Sequence, residues 1–199
     1  MSLLSDNQSL AQFCQQALHQ PLLAVDTEFI RQSTLAPKLG LIQLFDGEQL
    51  ALVDPLAITD WQPLQQLLAA TQVTKILHSC TEDLEAFATI GINEICPLFD
   101  TQLAAEILDW GGSIGYGRIV EQLTGAVLDK SEARTDWLAR PLAAKQLAYA
   151  ANDVKFLLPV YQKLLAEFTE PLKLQLLLAE GQQLLQRRQQ QLPDAFKYL

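Results

Sequence analysis

The chain has 199 residues, 49% hydrophobic and 19% charged, enough apolar material for one ordinary domain and without the uninterrupted apolar run that a membrane span needs. Three cysteines (Cys14, Cys80, Cys96) and two histidines without metal-ligand spacing argue against a structural zinc site and suit a reduced, cytoplasmic protein, and Met1 to Asp6 lacks the basic region of a secretory signal. The net charge of −9 argues against a phosphate-bearing partner only as a bulk number, because Lys130, Arg134, Arg140 and Lys145 face just Glu132 and Asp136 in that segment, and carboxylates that bind cations lower the formal charge without repelling phosphate.

Residues 5–20 place Leu10, Phe13, Ala17 and Leu18 at helical spacing, and Pro21 stops that helix. The next stretch, Leu22-Leu23-Ala24-Val25-Asp26-Thr27-Glu28-Phe29, begins apolar without alternation and ends in two carboxylates. That is the pattern of a strand covered on both faces. Residues 29–37 read as a loop. Strands over 38–45 and 49–53 flank Asp46-Gly47, a strong hairpin signal. A short helix follows over 61–70, with Asp60 a candidate N-cap.

From there strand and helix alternate. Residues 74–77 form a short strand ending at His78. Ser79-Cys80-Thr81-Glu82 has the form of a capping box, so a helix is expected to about Ile90, with Gly91 just past its end. Pro97 suits a short or edge strand over 95–99, and Asp100 or Thr101 caps the next helix, through Leu108. Residues 110–117 are a Gly-rich connection without the Lys and spacing of a phosphate-binding loop. A helix over 118–123 ends at Gly125, and 127–140 read as irregular. Pro141 opens a helical stretch through Phe168, with a kink or break expected at Pro159, and 169–191 form a last amphipathic helix. Three strands followed by this alternation argue an α/β fold with a mixed sheet.

Asp26 and Glu28 stand at i and i+2, so on a continuing strand they point to one side. Two like charges at a buried strand end repel each other and resist desolvation, which a divalent cation would offset. Two exposed acids at a strand end are the plain alternative, and this stretch alone leaves both open. Asp83 falls in the first turn of its helix, where the dipole favours an anion, but Glu82 and Glu85 are ordinary acids in the same place. Tyr149 and Asp153, at i and i+4, share a helix face among Ala148, Ala150, Ala151 and Val154, residues small or apolar enough for close approach to a sheet. A boundary tyrosine and a solvent-facing aspartate would look the same. His78 is either a general base or a strand-end residue with one satisfied hydrogen bond. Arg187-Arg188 reads as a solvated patch, and Trp61, Trp110 and Trp137 read as core or boundary residues.

Together these segments resemble the ribonuclease D group of the DEDD 3′–5′ exonuclease superfamily. The first motif is matched by Asp26-Thr27-Glu28-Phe29, the second by the run from His78 to Phe87 with Asp83 inside it, and the third, Tyr-x-x-x-Asp, by Tyr149 to Asp153. Further matches are Leu41-Ile42-Gln43-Leu44, Asp100-Thr101-Gln102, and stretches within 128–142. The resemblance implies a ribonuclease H-like fold, a mixed sheet of five to six strands flanked by helices, in which Asp26, Glu28, Asp83 and Asp153 converge on two divalent ions, Mg²⁺ or Mn²⁺. Tyr149 where a sister subclass has His implies the tyrosine type.

The implied reaction is hydrolysis of the 3′-terminal phosphodiester of RNA, with tRNA precursors and small structured RNAs as substrates and nucleoside 5′-monophosphates as products. In it Asp26 touches both ions, Glu28 and Asp153 complete the shell of the ion that binds the attacking water, Asp83 acts on the other, and Tyr149 orients the water. Thr27, Phe29, His78, Asp100, Lys130 and Arg134 are the candidate substrate contacts. A DNA exonuclease and a non-catalytic nucleic-acid-binding module remain the alternatives. The sequence departs from the family at Thr34-Leu35-Ala36-Pro37, which lacks the aromatic residues common there. Fuller relatives carry helical HRDC domains after the nuclease domain, so the expected division is an exonuclease domain over 1–168 and, over 169–199, a helix and linker toward such a domain. No membrane association and no obligate protein partner are expected.

Overall fold

The computed structural model describes residues 1–31, 36–129 and 131–191, with side chains as far as residue 187. The expectations on Thr34, Leu35, Lys130, the Arg188 side chain and residues 193–199 lie outside the described residues.

The organising element is β2 (Leu22–Ile30). It runs antiparallel to β3 (Lys38–Phe45) and parallel to β5 (Thr74–Leu77). Beyond β3 lies β4 (Leu50–Val53), antiparallel to it, and then β1 (Ser2–Leu4), parallel to β4. Beyond β5 lies β6 (Leu98–Asp100), also parallel. The order is β1-β4-β3-β2-β5-β6, the mixed α/β sheet that the sequence pattern implies. The β3–β4 hairpin closes at Asp46, whose Oδ1 accepts from the backbone N–H groups of Glu48 and Gln49, while Gly47 takes φ +98.

Leu23 and Val25 point to one face of the sheet, under α1 (Asn7–Ala17), α2 (Gln62–Ala69) and α3 (Thr81–Ala88). Ala24 points to the other, with residues of α4 (Thr101–Ile107), α5 (Tyr116–Thr124) and α7 (Leu157–Glu167). This two-sided cover is why the strand begins as a continuous apolar run. On the Ala24 side, α6 (Ala144–Lys155) lies over β2, β3 and β4, with Ala150 fully buried. The last helix, α8 (Pro171–Gln191), lies along β6. Leu177 is fully buried, and a Cβ added to Gly181 would stand 2.9 Å from the Leu98 carbonyl oxygen, so backbone meets backbone there. Among the described residues no helix is long and apolar enough to cross a membrane.

Several local features differ from the sequence reading: α6 begins at Ala144 rather than at Pro141, the N-cap of α2 is Trp61 rather than Asp60, and β6 is Leu98–Asp100 rather than 95–99. The short β1 has no counterpart in that reading. The long helical stretch breaks at Phe156, the boundary of α6 and α7, rather than at Pro159. Pro159 becomes the third residue of α7, where its missing N–H is one that lacks an intrahelical partner anyway. The Ser79–Glu82 capping box does not form: the N-cap of α3 is Cys80, without a side-chain cap. Asp100 instead reaches across from the end of β6 and accepts from Ser79 N (3.1 Å) and Cys80 N (2.8 Å).

The irregular stretch before α6 is anchored by Arg140. Its guanidinium grips Asp54 through Nε (2.8 Å) and a second nitrogen (2.7 Å), and it also donates to the carbonyls of Gly40, Trp137 and Ala139. A Cβ on Gly40 would lie 2.7 Å from the Trp137 carbonyl oxygen, so only glycine admits this approach to β3. Gln146, in the first turn of α6, accepts from Ala143 N and donates to Thr135 Oγ1 and to the Asp136 carbonyl.

Candidate active site

The alternation of β2 puts Asp26 and Glu28 on the α6 side. Asp153, on α6, comes down onto them, and one carboxylate oxygen from each of the three lies within 4.8 Å of the others. Tyr149 stands one turn earlier on the same face of α6, and its phenol favours the ionised form of the Asp153 carboxylate. The small residues around them on α6 allow this approach; Ala150 packs with Leu41 of β3 and Leu52 of β4.

Thr27 faces the opposite way. Its Oγ1 donates to Asp83 Oδ1 at 2.5 Å, tying the first turn of α3 to the middle of the site strand. Asp83 is buried on that side and does not belong to the three-oxygen cluster. It is electrostatically joined to it, because the Asp26 charge, after burial itself, pushes its carboxyl up.

No Lys or Arg among the described residues forms an ion pair with Asp26, Glu28 or Asp153. Burial, and then the charge of Asp153, push Asp26 well above the carboxylate range. Burial and the neighbouring acids push Glu28 up to about 10. Burial takes Asp153 up to about 7, against the opposing effect of the Tyr149 phenol. Burial and the nearby carboxylates push Tyr149 up as well, so its phenol keeps its proton at neutral pH. The result is a cluster of hard oxygen donors held close together and uncompensated by protein charge. Such a set matches the ligand chemistry of a divalent cation, and the three residues form a candidate acidic metal site.

The acids open into a cavity of about 340 Å³ whose wall also includes Phe29, His78, Tyr116 and Tyr149. His78 Nδ1 lies 2.9 Å from Thr101 Oγ1, and burial holds its imidazole below the usual value, so it is neutral at pH 7. Tyr116 lies against it, ring centroids 5.4 Å apart, and donates to the Asn152 carbonyl at 3.2 Å. In sequence Tyr116 is only the end of a connection. Nothing in its spacing links it to the acids, and only the packing of α5 against α7 brings it in.

The remaining candidate contacts separate. Asp100 does not line the cavity; it is buried, with its oxygens taken by Ser79, Cys80, Gln102 and Leu103 N–H groups, so it caps α4 and fixes the β5–α3 turn. Within that turn Ser79 holds φ +57, a left-handed backbone unusual for a side-chain-bearing residue. Arg134 lies outside the acid cavity, in a neighbouring groove.

Residues 1–169 match the family model described as 3′-5′ exonuclease. The chain is 49% identical over 165 residues to Ribonuclease D of Escherichia coli (strain K12), covering 83% of this chain and 44% of that protein. To Ribonuclease D of Shewanella sp. (strain ANA-3) it is 44% identical over 185 residues, 93% of this chain and 48% of that one. The crystal structure of Escherichia coli RNase D superposes with a TM-score of 0.90 at 46% identity, covering 94% of this chain and 50% of that chain. Trypanosoma brucei RNase D, solved in complex with RNA U12, shares the fold at a TM-score of 0.83 and 21% identity, covering 94% and 70%. The chain spans about half the length of the curated relatives it matches. With this match across the acid-bearing core, the chain belongs to the 3′–5′ exonuclease family, with the fold of RNase D.

Proposed function

We propose that the chain hydrolyses the 3′-terminal phosphodiester of RNA and releases nucleoside 5′-monophosphates. The observation that carries this reading is the cluster of three carboxylates, two from the central strand and one from α6, in a chain of this family. Similarity to Ribonuclease D favours RNA over DNA, with tRNA precursors and other small structured RNAs as cytoplasmic substrates. The Escherichia coli relative is described as an exoribonuclease involved in structured RNA processing.

Asp26, Glu28 and Asp153 would hold two divalent ions, Mg²⁺ or Mn²⁺, with Asp83 the fourth carboxylate from the α3 side. Bound there, such ions neutralise phosphate charge and lower the pKa of a water nucleophile. Asp26 is the electrostatic hub of the set: its charge raises both Glu28 and Asp83, and Asp153 raises it in turn. Tyr149 keeps its proton, so it donates a hydrogen bond and orients the attacking water rather than deprotonating it. His78 and Tyr116 form the wall beside the terminal nucleoside. Thr27 acts through Asp83, because its hydroxyl is already taken.

RNA labelled at its 3′ end tests the reading. Mononucleotides are released in Mg²⁺ or Mn²⁺, and release stops in excess chelator. Undiminished release in chelator would overturn the metal assignment. A matched DNA strand cut faster than RNA would move the substrate to DNA, and a titration without divalent binding would favour a non-catalytic binding module.

A further inference from the structure

Next to the acid cavity lies a second and larger depression, a groove of about 720 Å³. One side is formed by the end of β2 and the start of β3, with Phe29, Ile30, Arg31 and Lys38; the other is the segment from Ala133 to Leu138. Phe29 and Ala133 line both spaces, so the groove and the acid cavity meet at those two residues. The groove has no role in the chemistry of the acids.

Its charge is opposite to that of the molecule. Arg31, Lys38 and Arg134 are exposed on it, against Asp136, in a chain of net charge −9. Asp136 accepts from the Leu138 backbone N–H at 2.9 Å, and Arg31 shares its charge with Glu85. Lys38 and Arg134 therefore supply most of the groove's positive charge, and they stand on opposite walls. The 133–138 wall is firmly anchored. Gln146 holds Thr135 and Asp136 to α6, Arg140 holds the Trp137 carbonyl, and Gly40 lets Trp137 seat directly on β3. Phe29, half-buried against the core, lines both spaces where they meet.

We infer that this groove binds the single strand immediately 5′ of the scissile bond, with Lys38 and Arg134 contacting its phosphates and Phe29 contacting a base at the junction. This rests on the exonuclease reading of the acid site. Once the terminal nucleotide fills the acid cavity, the preceding nucleotides must leave through an opening, and this one is polar, basic and contiguous. A positively charged groove with an aromatic residue is the general way proteins hold single strands without reading their sequence. The acid site supplies the reaction, and the groove supplies a grip that grows with strand length.

The test compares a dinucleotide with an octanucleotide, both 3′-labelled, in the full chain and in the double variant Lys38→Glu, Arg134→Glu. The variant raises KM for the octanucleotide by about tenfold, with a much smaller rise for the dinucleotide, and the paired conservative changes Lys38→Arg and Arg134→Lys keep most of the discrimination. Binding is read separately, by the fluorescence anisotropy of a 5′-labelled octanucleotide in an Asp26→Asn background. There the slope of log affinity against log salt becomes shallower by about 0.7 for each phosphate no longer neutralised. If both substrates are cut and their KM ratio is the same in the double variant, the groove assignment is overturned while the exonuclease reading stands. If neither is cut but the salt slope still depends on Lys38 and Arg134, the exonuclease reading fails and the groove stands. A salt slope unchanged in the variant overturns the groove in either case.

Discussion

Carboxylates stand on either side of β3, at Asp54 beyond β4 and at Asp26 and Glu28 on β2, and the two places are treated in opposite ways. Asp54, just past β4, is met by Arg140 through two charge-assisted hydrogen bonds, and that guanidinium holds its carboxyl below the usual range. Asp26 and Glu28, within β2, meet the Asp153 carboxylate from α6, and all three are driven upward. Either group could have been neutralised by an arginine. Carboxylates drawn together without a protein cation are the pattern expected of a functional site, whereas a paired carboxylate is the pattern expected of a structural one.

The largest effect is expected from Asp26→Asn. Release of mononucleotides from 3′-labelled RNA should fall by at least about a thousandfold, since several kcal/mol of transition-state stabilisation go with the metal site. The same change should raise the melting temperature of the protein in chelator, because it removes a buried charge from a repelling cluster. A lowered melting temperature would show that the acids stabilise the empty fold and would remove the contrast with Asp54.

Arg140→Ala tests the other member. It leaves Asp54 without its partner and frees three backbone carbonyls, so unfolding in urea should show a loss of about 2–3 kcal/mol, less than for a fully buried pair because the Arg140 side chain is 26% exposed. Activity at saturating RNA should fall much less than in the Asp26 variant. Tyr149→Phe comes next. It should slow hydrolysis by about 10- to 100-fold while shifting stability by less than about 1 kcal/mol. An unchanged rate would remove the orienting role.

The smallest effects are in pH dependence, where the two groups pull in opposite directions. Raised groups contribute stability that is fully present below their unfolded pKa and is lost as pH rises through the folded one. For Asp153 that window runs from 3.8 to about 7, and for Glu28 from 4.5 to about 10. Asp54 is lowered, so its contribution is present above 3.8 and is lost as pH falls below it. Melting curves in chelator should therefore decline from acid toward neutral and alkaline pH, and saturating Mn²⁺ should flatten that decline. Asp54→Asn should remove part of the loss at low pH and leave the upper limb unchanged. A decline identical with and without metal would place its origin outside the cluster.

Much of the cluster is legible in the sequence because it rests on local patterns. The period of two in β2 and the i, i+4 spacing on α6 put the right residues on facing surfaces, and the bounds of β3 and β5 follow from apolar runs between turn signals. The features that are not legible depend on partners far along the chain. The strand β1 has three residues and no periodicity of its own; its pairing with β4 makes it a strand. Ser79 has the look of a cap because Glu82 follows at the right spacing, but Asp100 takes the backbone N–H groups from another strand. Lys38 stands at the edge of an expected strand and Arg134 in an irregular stretch. Nothing local says that they face each other across a groove.

The hydrogen bond between Thr27 and Asp83 has a consequence for how this strand tolerates change in length. Within β2, one face carries Asp26 and Glu28, and the intervening residue on the other face secures α3. Inserting or deleting a single residue between Val25 and Asp26 would exchange the two faces beyond that point, turning the acids toward the hydrocarbon under α1 to α3 and Thr27 toward α6. Compensation by one further substitution is not available, because Asp26, Thr27 and Glu28 would all be on the wrong side at once. Insertions and deletions should accordingly be excluded from this segment while being accepted at the exposed Glu48 of the β3–β4 turn, and a library of single-codon indels would map that boundary directly.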